Sequence, residues 1–110
     1  MAIHAPIGHI ITGKVIKQKG VCDCEHKLGE KFVLSTTNPG GICGVFFHDL
    51  YPWIAMYQFG GKLPEEWGGT VKVFDCMDVV NTLTIEMRRE GLWSDEQTKK
   101  RLIEEGYNFD

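Results

Sequence analysis

The stretch Asn38-Pro-Gly-Gly-Ile-Cys-Gly-Val-Phe-Phe-His-Asp-Leu-Tyr-Pro-Trp-Ile-Ala-Met-Tyr57 decides how the rest of the chain is read. Asn38-Pro39-Gly40-Gly41 is a strong turn signal, because proline fixes φ and glycine admits left-handed backbone. Beyond it Ile42, Phe46, Leu50, Trp53, Ile54 and Tyr57 recur at helical spacing, which predicts a central helix running to Gly60-Gly61. Pro52 lies inside this run, removes one backbone donor and clashes with the preceding turn. A kink, or two short helices meeting near Tyr51, is therefore expected. The helix is apolar nearly all round, a pattern that implies burial against a sheet and suits contact with another subunit.

The flanks supply that sheet. Ile10 to Lys19 is rich in β-branched residues and predicts a first strand closed by Gly20, and Lys31 to Ser35 predicts a second, paired with it as an antiparallel ribbon. After the helix, Leu63 to Gly69 reads as a loop, Thr70 to Phe74 as a third strand and Leu83 to Met87 as a fourth. Ser94-Asp-Glu-Gln97 has the form of a capping box, Lys99, Lys100 and Arg101 suit the C-terminal half of a helix, and Gly106 stops it. The expected fold is α+β in two layers, with about four mainly antiparallel strands packed on the central helix and a further C-terminal helix. The expected organisation is an N-terminal arm over 1–8, an α+β domain over 9–90 and a C-terminal helical extension over 91–110.

A chain of 110 residues makes one domain large enough to bury a core without disulfide staples. Its net charge of −3 and pI near 5.8 give no electrostatic footprint for nucleic acid or an anionic membrane. No signal-peptide pattern opens the chain, and no apolar run approaches the roughly 20 residues that cross a bilayer. The expectation is a cytoplasmic protein, partnered by neither nucleic acid nor membrane, whose cysteines stay reduced. Trp53, Trp67 and Trp93 lack an accompanying basic groove and are expected in the core or at a subunit interface. Nucleotide-binding glycine motifs and the familiar hydrolase motifs are absent from the sequence.

Chemistry-bearing residues gather in three clusters at the breaks between elements. Cys43 stands in the first turn of the central helix, where unpaired N–H groups and the helix dipole favour a thiolate. The structural alternative is a small side chain filling space behind a glycine turn. His48 follows five residues later, about 140° around a regular helix, so the two share one ligand only if the helix is distorted. Cys22-x-Cys24-x-His26 puts three soft ligands in one loop, and alternate residues of an extended segment point to the same side. This is looser than a zinc knuckle, and a solvated loop bearing Asp23, Glu25 and His26 is the competing reading. Cys76-Met77-Asp78 adds a thiol and a carboxylate at a strand end, where a buried structural cysteine is also common.

These residues resemble a family of small prokaryotic proteins, frequent in anaerobes and without an assigned activity. Its pattern is Cys-x-x-Gly-His-Lys-x-Gly-Asp, then Gly-Ile-Cys followed by an aromatic, a histidine and Tyr-Pro, then Phe-Gly-Gly-x-Leu-Pro, then Cys-Pro-Asp. The resemblance is carried by Cys22, His26, Lys27 and Gly29; by Gly41, Ile42, Cys43, Phe47, His48, Tyr51 and Pro52; by Phe59, Gly60, Gly61, Leu63 and Pro64; and by Cys76 with Asp78. Glu25 stands where that pattern has glycine, Glu30 where it has aspartate and Met77 where it has proline, while Cys24 is extra. The resemblance implies a recurrent set of Cys22, His26, Cys43, His48 and Cys76.

Three functions compete on the sequence. The leading expectation is a single metal site for zinc or an iron–sulfur cluster, with Cys22, Cys43 and Cys76 as thiolate ligands and His26 or His48 as the fourth. The second is a small enzyme with Cys43 as nucleophile or acid, His48 or His26 as base, and a small-molecule substrate held at the helix start. The third is a non-catalytic partner subunit that docks through apolar surface. Homo-oligomerisation is compatible with all three.

Overall fold

The computed structural model describes residues 7–22 and 24–109. Residues 1–6 of the expected N-terminal arm, and Asp23 of the first loop, lie outside the described residues. Four strands, β1 (His9–Gln18), β2 (Lys31–Leu34), β3 (Val71–Asp75) and β4 (Leu83–Leu92), and two helices, α1 (Gly44–Gln58) and α2 (Glu96–Glu104), make an α+β fold. The strands form one antiparallel sheet in the order β2-β1-β4-β3.

Period-two alternation sorts the strands onto two faces. Ile11, Val15, Phe32, Leu34, Leu83, Ile85 and Met87 point to the face that meets Ile42, Phe46, Leu50, Ile54 and Tyr57 of the α1 segment, and together they form the main core. Gly13 belongs to this face because a Cβ there would stand 2.6 Å from Ile85 Cδ1. The opposite face presents Ile10 and Val33, covered by Leu102 of α2 with Trp93, Tyr107 and Phe109 around it. Helix α1 thus lies on the front of the sheet and α2 on the back.

Four local expectations change. Helix α1 is uninterrupted through Pro52, because the one bond that proline removes would have ended on the carbonyl of His48, on an exposed turn where water can serve it. Its apolar surface is buried on one stripe only; Val45 and Tyr51 face outward. The cap of α2 is Asp95 rather than Ser94: its carboxylate accepts from Gln97 N at 3.0 Å and from Thr98 Oγ1 at 2.7 Å. Strand β4 also continues past Met87 to Leu92, paired with β1 up to His9. No helix among the described residues is long and apolar enough to cross a membrane.

Candidate functional site

Antiparallel register brings two connections to one end of the sheet. Gln18, at the end of β1, faces Leu83 at the start of β4, and Asp75, at the end of β3, faces Thr84. The loop after β1 and the loop after β3 therefore meet, and Asn81 joins them by accepting from Val21 N at 3.2 Å. Gln18 folds the first loop back on itself, donating to the carbonyls of Gly20 and His26 and accepting from Leu28 N at 3.1 Å.

The start of α1 is fastened to the same end. Gly40 has φ of +66 and lies so close to β2 that a Cβ would stand 2.1 Å from Val33 O, so only glycine allows this approach. Ile42 is buried against the core, and Cys43 becomes the N-cap of α1. Its Sγ accepts from Phe46 N at 3.5 Å, a role usually filled by a serine, threonine, aspartate or asparagine oxygen. Cys43 itself is half-buried against the main core, while the flanking glycines are open: a Cβ built on Gly41 or Gly44 meets nothing within 4 Å.

His26 supplies the second half of the arrangement. It is 6 % exposed and stands edge-on to Phe32, with ring centroids 5.2 Å apart. Cys43 N donates to His26 Nε2 at 3.0 Å, and His26 Nδ1 lies 2.9 Å from Glu30 Oε1. An amide N–H can only donate, so Nε2 is the unprotonated nitrogen, and Nδ1 carries the hydrogen that is donated to Glu30. Glu30, His26 and Cys43 thus form a continuous chain from a half-exposed carboxylate to the helix start.

The other sequence candidates are placed differently. Cys76 Sγ accepts from Leu83 N at 3.2 Å and lies 4.0 Å from Asn81 O, while Asp78 caps the same turn by accepting from Val80 N and Asn81 N at 3.0 Å each. Those two N–H groups hold the Asp78 carboxyl below its ordinary pKa. Cys22 is half-buried and its carbonyl accepts from Glu25 N at 2.8 Å. With Glu25 at φ of +63 the segment turns instead of staying extended, so the alternation expected to align Cys22, Cys24 and His26 does not arise. The His48 side chain is 89 % exposed beside Asp49. None of the four cysteines is in a disulfide.

A zinc ion or iron–sulfur cluster needs three or four donors converging on one point. Among the described residues no three His, Cys, Asp or Glu side chains are placed to hold a metal ion. His26 has both ring nitrogens engaged, and the sulfur of Cys76 is bound into its own turn, so the donor set as arranged does not fit the group. Glu30 carried a sequence signal only as the acid closing the resembled pattern, with no role attached, and Gln18 carried none, since a glutamine at a strand end has no periodic signature. Comparison with protein-family models, with curated proteins and with solved structures finds no match.

Proposed function

We propose that this protein is a small cysteine- and histidine-dependent enzyme in which Cys43 is the reacting thiol and His26, oriented by Glu30, receives its proton. The observation that carries this reading is the hydrogen-bonded chain Glu30–His26–Cys43 at the open N-terminus of α1. A cysteine nucleophile needs a base with an available lone pair, and a third group that fixes the base and steadies the imidazolium formed. Nε2 is the unprotonated nitrogen and lies beside Cys43; Glu30 faces the opposite side of the ring. Phe46 N already donates to Cys43 Sγ, and the positive end of the helix favours a thiolate there. As the thiol proton moves to Nε2, the bond from Cys43 N to that nitrogen must lengthen, so the step requires a small shift of the helix start.

The same sheet end exposes Val21, Leu28, Val45, Met77, Val79 and Val80, which suits a small-molecule substrate with an apolar body and one electrophilic centre. Per-residue alkylation with iodoacetamide at neutral pH, read by mass spectrometry, tests the reading. Cys43 should react faster than exposed Cys24, and His26→Ala or Glu30→Gln should slow Cys43 while leaving Cys24 unchanged. Four cysteines reacting alike would overturn the proposal. A full equivalent of zinc or iron in anaerobically purified protein would replace it with the metal-binding reading, which draws on the shared sheet end of the three cysteine loops.

A further inference from the structure

The back of the sheet carries a second feature, remote from Cys43. Beside α2 lies an open cleft of about 440 Å³ whose walls are almost entirely charged, within the size range of small-molecule sites. Its three carboxylates are already engaged. Glu86 pairs with Arg88 Nε at 2.9 Å. Glu90 pairs with Arg101 at 2.8 Å and accepts from Thr12 Oγ1 at 2.8 Å, and Glu105 pairs with the same Arg101 at 2.9 Å. The two lysines of the cleft are not so matched. Lys14 and Lys31 are direct cross-strand partners of β1 and β2, an arrangement of like charges that destabilises a ribbon, and Lys14 also faces Glu86 across β1 and β4 without forming an ion pair with it. Lys31 Nζ donates to the Glu105 carbonyl and stands 5.6 Å from the Tyr107 ring centroid. Neither lysine forms an ion pair among the described residues.

We propose that this cleft binds a small molecule bearing an oxyanion, phosphate or carboxylate, with the Lys14 and Lys31 ammonium groups as its ligands. The anion relieves the lysine–lysine repulsion, and the arginines hold the carboxylates that would otherwise repel it. Tyr107 lines the same cleft, with its phenol hydrogen-bonded to Thr12 and its pKa raised by burial.

The test is titration with inorganic phosphate and with citrate, followed by amide NMR against sodium chloride of matched ionic strength. Saturable shifts at Lys14, Lys31 and Tyr107 are expected with at least one of the two probes, and the probe that saturates tells phosphate from carboxylate. Lys14→Gln, which breaks no hydrogen bond of the fold, should weaken binding about tenfold. Lys31→Arg should retain it. Shifts that sodium chloride reproduces, or a Lys14→Gln protein that binds as the parent does, would overturn the proposal.

Discussion

At Glu25 the backbone takes φ of +63, a region where an L side chain crowds the following carbonyl at a cost of about 1–2 kcal/mol. Glycine carries no such cost. Glu25→Gly should therefore stabilise the protein by about 0.5–1 kcal/mol, the larger backbone entropy of unfolded glycine offsetting part of the relief. A higher urea midpoint at unchanged slope is the expected result. A lower midpoint would mean that the glutamate side chain itself holds the loop. The same turn explains what could be read of the site beforehand. Cys43 was legible because a glycine turn followed by helical periodicity marks a helix start. For its partner the sequence left His26 and His48 as equal choices, since the contact with His26 is made through a backbone N–H and depends on how a loop with no periodicity folds.

Between residues and the whole sit the connections. Central strand and helix positions followed from periodicity, whereas ends did not: the fourth strand was expected to stop at Met87, yet Arg88, Arg89 and Glu90 extend β4, where one sheet face is the charged cleft. Pro52 was expected to kink the helix or divide it in two near Tyr51, but an exposed carbonyl tolerates the lost donor. The turn after β3 carries a pH dependence of definite sign. Asp78 has a folded-state pKa below its ordinary value of 3.8, because the Asn81 and Val80 N–H groups donate to the ionised carboxylate. Its contribution is fully present above the ordinary value and is lost as pH falls through the lower folded one. In an acid titration the Val80 and Asn81 amide resonances should move with a midpoint below 3.8, and Asp78→Asn should abolish that movement. A midpoint at or above the ordinary value would show that the cap does not favour the charged form.

For the molecule as a whole, the two sides of the sheet are unequally held. Among the described residues the front core cluster holds twelve buried apolar side chains, whereas the back cluster holds three, Ile10, Val33 and Leu102. Burial of apolar surface dominates folding stability, so the back should open at a lower free energy than the front. Leu102 is 0 % exposed and is the only residue of α2 in that cluster. Leu102→Ala should cost about 2–5 kcal/mol locally. The expected signature in native-state hydrogen exchange is loss of protection across α2, with Ile85 and Met87 of β4 still exchanging only through global unfolding. Equal loss at all these sites would mean that both sides of the sheet unfold as one unit. In that case the back cluster, although small, is part of the same cooperative core, because Ile10 and Val33 alternate along the strands with Ile11 and Leu34 and cannot be exposed without disturbing the front face.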